Sequence, residues 1–137
     1  MSLPSTEDIL EDIAFFDDWE ERYKYIIDLG RALKPMDAAL HTPERLVKGC
    51  QSNVWIEPRR EQELLFFTVD SDAVIVRGLL ALVLAAYQGR TSAEILAFDI
   101  DAYFAKLDLE RHLSPTRGNG LRAMVGRVRA IAEAAKG

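Results

Sequence analysis

Leu46-Val47-Lys48-Gly49-Cys50-Gln51-Ser52-Asn53-Val54-Trp55-Ile56 contains the only cysteine of the chain. Cys50 follows a glycine and precedes three polar residues, after which the pattern turns apolar and extended. Glycine enters backbone conformations that other residues avoid, so Gly49-Cys50 reads as a loop tip ahead of a strand. A thiol there is expected to be partly exposed, with Lys48 and Arg45 close in sequence to favour the thiolate, the attacking species of sulfur chemistry. The competing reading is structural, since free cysteine is among the most often buried residue types and serves as a small hydrophobe. The Gly-Cys-Gln-Ser context weighs against filler, which normally sits inside an apolar run. Local chemistry alone leaves both readings open.

Working outward, Leu46 to Lys48 predicts a short strand and Asn53 to Pro58 a second, with Val54 and Ile56 on one face and Trp55 on the other. Arg59-Arg60-Glu61-Gln62 reads as a polar turn, and Leu64 to Val69, rich in strand formers, as the hairpin partner. Asp70-Ser71-Asp72 then reads as the cap of a helix whose apolar positions include Val74, Ile75, Gly78, Leu79, Leu82, Val83 and Ala86. Acids at a helix start complement its dipole, so capping is the plain structural role for Asp70 and Asp72. Thr91-Ser92-Ala93-Glu94 is a capping box, and Asp99 caps a helix through Phe104 to Leu107. Leu109 to Asn119 reads as a loop built on Ser114-Pro115-Thr116-Arg117-Gly118. A last helix carries the stripe Leu121, Met124, Val125, Val128 and Ile131.

Upstream, Ser5 starts a helix with Ile9, Ile13 and Phe16 on one face, and Asp17-Asp18 breaks and recaps the chain. A second helix turns Trp19, Tyr23, Ile26 and Ile27 inward and ends near Gly30. Residues 31–45, with Pro35 and Pro43, are connecting loop. The expected product is one α+β domain over residues 1–137: an antiparallel sheet of about three strands with helices packed on one face.

The chain has 137 residues, enough for one domain with a real core. No apolar run reaches the roughly 18–20 residues of a membrane span; Gly78 to Tyr87 is the longest and reads as a core helix. The N-terminus carries no basic-then-apolar export signal and no Met-Gly acylation start. A single cysteine excludes an internal disulfide framework and a CxxC pair. These features point to the cytoplasm. A net charge of −5 argues against a nucleic-acid partner. The charge is uneven, with eight acids and no Lys or Arg before Arg22. The C-terminal helix instead holds Arg117, Arg122, Arg127, Arg129 and Lys136 against Glu133. Two solvated helix faces account for this, although such asymmetry also steers protein partners.

Chemically, one thiolate without a resolving cysteine can act as a nucleophile or carry a group covalently, but cannot cycle through its own disulfide. No glycine-rich phosphate loop, HExxH or paired metal-ligand motif is present, so no cofactor or metal is called for. A Cys-His-Asp set of Cys50, His41 and Asp37 can be written down, although sequence spacing says nothing of its geometry.

Val-Lys-Gly-Cys-Gln-Ser-Asn-Val-Trp-Ile (47–56) resembles the signature of the SufE family, the sulfur acceptors that work with cysteine desulfurases. The resemblance continues in Asp70-Ser71-Asp72-Ala73-Val74-Ile75-Val76-Arg77-Gly78-Leu79. It recurs in His112-Leu113-Ser114-Pro115-Thr116-Arg117, followed by Gly120-Leu121, and in Trp19-Glu20-Glu21-Arg22-Tyr23-Lys24-Tyr25-Ile26-Ile27-Asp28-Leu29-Gly30. Four blocks in order, over almost the whole chain, make the likeness specific.

The resemblance implies that Cys50 attacks the persulfide of a pyridoxal-phosphate-dependent cysteine desulfurase, SufS-like or a paralogue. Cys50 would leave with the outer sulfur as its own persulfide and pass it to an iron–sulfur scaffold. It further implies Gln51 and Ser52 as hydrogen-bonding neighbours of the sulfur and Arg117 as a stabiliser of the persulfide anion. Asp72 becomes a residue that holds the cysteine loop. Two other classes stay in view: an iron–sulfur scaffold, ill served by one thiolate, and a thiol hydrolase or peroxidase pairing Cys50 with His41 or His112. The sequence leaves monomer or homodimer undecided.

Overall fold

The computed structural model describes residues 3–136; Met1, Ser2 and Gly137 lie outside the described residues. Helix α1 (Thr6–Ala14) starts where expected, with Ser5 Oγ accepting the Asp8 N–H. Asp18 caps α2 (Trp19–Arg31) in the same way through the Glu21 N–H. Strands β1 (Val54–Glu61) and β2 (Leu64–Ser71) form an antiparallel hairpin, and the two-residue β3 (Arg90–Thr91) joins the far side of β2. Helix α3 (Val74–Tyr87) precedes β3, while α4 (Ser92–Ala97), α5 (Ile100–Leu107) and the long α6 (Pro115–Ala135) follow it. Along β2, buried residues alternate with half-exposed ones, so one face of the three-stranded sheet meets the core and the other does not.

The α+β architecture read from the sequence is therefore present, with three differences of detail. The polar stretch Arg59-Arg60-Glu61 extends β1, and the turn narrows to Gln62-Glu63, with Gln62 at φ 56°. No glycine or asparagine marks that turn. Pro58 fits inside β1 because of strand parity. Ile56 N–H and Val54 C=O bond outward to Arg45 and Val47. The missing N–H of Pro58 therefore faces the same side, beyond those partners.

The second difference is the start of α3. Its N-cap is Ala73, with no side-chain cap, while Asp70 and Ser71 belong to β2. Asp70 accepts from Arg77 instead, and Asp72 bonds across to Asn53. Tertiary partners take both carboxylates away from the capping role.

The third is the segment expected as loop up to Asn119. After a turn at Glu110–His112, Ser114 caps α6 through the Arg117 N–H and Pro115 occupies its first position. This is the favoured placement for proline, whose absent N–H would be unpaired there anyway.

Helix α3 is the centre of the molecule: every residue from Gly78 to Leu84 is buried. Helix α2 lies against it so closely that backbone meets backbone. A Cβ added to Gly30 would stand 2.5 Å from Gly78 N, and one added to Gly78 would stand 2.5 Å from Ile26 O. Arg77 reaches across this contact to the Gly30 carbonyl at 3.3 Å. On the β3 side, the Gln88 side chain acts as a substitute strand. Its Oε1 accepts the Phe67 N–H at 2.6 Å, and its Nε2 donates to the Phe67 carbonyl at 2.9 Å.

Gly30→Ala or Gly78→Ala is expected to force α2 from α3 and cost about 1–3 kcal/mol, lowering Tm by several degrees. Gly126 of α6 meets nothing within 4 Å, so Gly126→Ala should raise Tm slightly through helix propensity, by up to about 1 kcal/mol. Thermal unfolding by circular dichroism checks both, and equal Tm values for all three variants would contradict the close-contact account.

Candidate functional site

Cys50 sits at the tip of a second, shorter hairpin built onto the free edge of β1. Val47 N–H donates to Val54 O at 2.8 Å, and Ile56 N–H to Arg45 O at 3.0 Å, with Leu46 opposite Trp55. The expected strand at Leu46 to Lys48 is thus a pairing of Arg45–Val47 with Val54–Ile56. Residues 48–53 close the turn.

Gly49 enters this turn at φ 95°, where a side chain would be strained, and a Cβ would also stand 3.3 Å from Ala123 Cβ of α6. The turn lies directly on α6. Cys50 Sγ is 3.5 Å from the Gly120 carbonyl, toward which its S–H points as a weak donor.

Beside the thiol opens a cavity of about 340 Å³, lined among others by Cys50, Gln51, Ser52, Thr116, Arg117 and Met124. Four of the five residues expected at the site therefore share one cavity: Cys50, Gln51, Ser52 and Arg117. Gln51 and Ser52 make no hydrogen bond to the sulfur among the described residues, where Gly120 O is its partner. Arg117 stands in the first turn of α6, exposed. Its guanidinium makes no ion pair or hydrogen bond with any described residue. Asp72 holds the far end of the loop. Its two carboxylate oxygens accept the Asn53 N–H at 3.1 Å and the Asn53 side-chain amide at 3.0 Å.

The arrangement disfavours the expected thiolate. Cys50 is half-buried, and loss of solvent raises its pKa above that of an ordinary thiol. Arg45 does not offset this, because it is engaged by Glu57 at 2.6 Å and by Thr42 at 2.8 Å. Lys48 is exposed.

The Cys-His-Asp set does not assemble. His41 Nε2 lies 2.8 Å from Asp70 Oδ2, and its ring stacks on Trp55 with centroids 3.9 Å apart. Asp37 accepts the Ala39 N–H instead. His112 stacks on Trp19 at 4.0 Å, with Nδ1 directed at the Asp108 carbonyl. Neither histidine lines the cysteine cavity. Among the described residues, no three His, Cys, Asp or Glu side chains gather to hold a metal ion. Among the same residues, no helix is long and apolar enough to cross a membrane.

Two contacts at the site carry no local sequence signal. Gly120, just past the stretch Leu109 to Asn119 that reads as a loop, gives the sulfur its resting place. Arg127, two turns further along α6, bonds the carbonyls of Leu46 and Glu44.

Known proteins match this chain along nearly its full length. A structure titled as the solution structure of a hypothetical protein from Thermus thermophilus superposes with a TM-score of 0.77 over 98% of both chains. At 19% identity that likeness speaks for the fold. An uncharacterized SufE-like protein of Rhizobium etli is 46% identical over 131 residues, 93% of this chain and 88% of the relative. Another, from Rhizobium meliloti, is 44% identical over 135 residues, 96% of each chain. The SufE profile, described as an Fe-S metabolism associated domain, matches residues 7–132. With the signature residues around Cys50 in place, the chain belongs to the SufE family.

Proposed function

We propose that the chain accepts sulfane sulfur from a cysteine desulfurase on Cys50, stimulating that enzyme, and delivers the sulfur to iron–sulfur cluster assembly. The observation that carries this reading is the pairing, in one open cavity of a SufE family member, of the chain's only thiol with the otherwise unengaged Arg117.

The chemistry is thiol exchange. Cys50 loses its proton to solvent or to a base of the partner, and the thiolate attacks the outer sulfur of the desulfurase's cysteine persulfide. The partner's S–S bond breaks as the Cys50–sulfur bond forms. The enzyme's cysteine departs as a thiolate, and Cys50 carries a persulfide with no net oxidation. The Arg117 guanidinium and the first turn of α6 favour the anions on either side of this step. Delivery repeats the exchange with an acceptor thiol.

The cover over the thiol suits a carrier, because persulfides are readily oxidised or lost to stray thiols. Receiving sulfur requires the loop to extend into the partner. Such a change shifts only if the partner binds the extended form more tightly. A SufS-like enzyme or a paralogue fits equally as donor. A hydrolase or peroxidase would need a base at the thiol, and both histidines are engaged elsewhere.

Cys50→Ser is expected to fold normally and to abolish stimulation of the cognate desulfurase; a serine variant that stimulates like wild type ends this reading. Arg117→Ala should slow sulfur acceptance by about tenfold, the scale of one lost charge-assisted contact, while leaving Tm within a few degrees. Unchanged acceptance kinetics would reduce Arg117 to a surface residue.

Burial raises the Cys50 pKa, so at neutral pH the folded chain holds its proton more firmly than the unfolded chain does. Iodoacetamide alkylation of the native protein should therefore rise with pH through a midpoint above that of the same protein in urea. Coincident midpoints would show that the thiol is already solvated.

A further inference from the structure

We infer that Arg127 is the positioning residue that fixes the Cys50 hairpin on α6, by clamping two main-chain carbonyls of its entering arm. The parity of the hairpin carries the argument. Arg45 O and Val47 N face β1, where they meet Ile56 N and Val54 O. The Leu46 carbonyl therefore faces away from β1, on an edge with no further strand among the described residues. Glu44 lies in the turn just before it, which is closed by Arg45 N–H to Thr42 O at 3.1 Å and Leu46 N–H to Pro43 O at 3.3 Å. Both carbonyls are met by one guanidinium: Arg127 Nη1 donates to Leu46 O at 3.0 Å, and Nη2 donates to Glu44 O at 2.6 Å. Two carbonyls within reach of one guanidinium, one from the turn and one from the paired residue after it, suit a planar two-pronged donor, which lysine's single ammonium cannot reproduce. Bonds from a charged donor are also stronger than neutral ones.

The consequence is for the sulfur. Arg127 and Gly120 lie on the same helix, about two turns apart, so they present toward the hairpin together. Locking Glu44 and Leu46 to α6 therefore sets where Cys50, a short way further along the chain, comes to rest against Gly120. The other end of the turn is tied at Asn53 to Asp72, by two side-chain bonds and the Asp72 N–H to Asn53 O at 3.4 Å. The entering arm is thus fixed to a helix, and the residues between Lys48 and Asn53 are those free to swing. Arg127 makes the motion of the cysteine a local one, hinged at Gly49, instead of a peeling of the whole hairpin.

This inference rests on the reading of Cys50 as the working thiol, but its test needs no desulfurase. Arg127→Met keeps the aliphatic stem and removes the fork. With the arm released, Cys50 should react with iodoacetamide at least about tenfold faster at neutral pH, the scale of losing one charge-assisted pair of bonds. The pH midpoint of alkylation should fall toward that of the denatured chain. Amide exchange at Val47 and Ile56 should quicken, with little change at α3. Arg127→Lys, which restores charge and at most one bond, should fall between. If Arg127→Met does not fold, Arg127→Lys alone carries the comparison with wild type.

A folded variant whose alkylation rate and pH midpoint match wild type overturns the assignment. So does a faster rate accompanied by faster exchange throughout α3, which would mean general loosening. Loss of stimulation by Cys50→Ser bears on the sulfur-acceptor reading instead, so the two fail separately.

Discussion

The close approach of α2 to α3 is the constraint on which the rest of the structure depends. Two glycines let backbone touch backbone, and neither tolerates a methyl group without moving a helix. Once α3 is buried in this way, the positions around it follow. Arg77 leaves its first turns to tie the Gly30 carbonyl to Asp70 at the end of β2. Asp70 in turn holds His41 against Trp55. Val76 and Leu79, one turn apart on α3, form part of the cavity in which the thiol sits. The thiol is carried by a turn, but part of the wall of the cavity beside it belongs to the buried central helix.

Around the thiol, two requirements oppose each other. Covering the sulfur protects it and raises its pKa, and the same cover keeps it protonated and out of reach. The structure separates the two demands in space. The cover comes from the contact with Gly120 and α6, whereas the unengaged cation, Arg117, stands at the mouth of the cavity, toward solvent. A sulfur displaced outward would lose its desolvation.

Much of this was legible in the chain itself, and what was not has identifiable causes. Ser5, Asp18, Thr91 and Asp99 mark helix starts because the capping bond is local, and each is found in place. Cys50 was conspicuous because glycine and polar residues surround the only thiol. The same local rule misled at Asp70 and Asp72, whose carboxylates satisfy partners 7 and 19 residues away. It misled again at Ser114-Pro115, where a genuine helix start was masked by Gly118 and Gly120, one of which serves the sulfur. Arg45 stood near the thiol in sequence, yet its charge belongs to Glu57. Arg127 announced nothing, because its partners are main-chain carbonyls more than 80 residues upstream. Bonds that span the fold are invisible to patterns that span one turn.

The way the sheet ends has a meaning of its own. Small sheets with bare edges recruit strands from other copies and polymerise. Here Gln88 occupies the backbone of Phe67 on one margin, and on the other Pro58 offers no donor where the short hairpin stops. The remaining margin of that hairpin is taken by Arg127. A sheet whose margins are met in this way offers little bare backbone to a strand from another copy. Contacts between copies are thereby left to side chains.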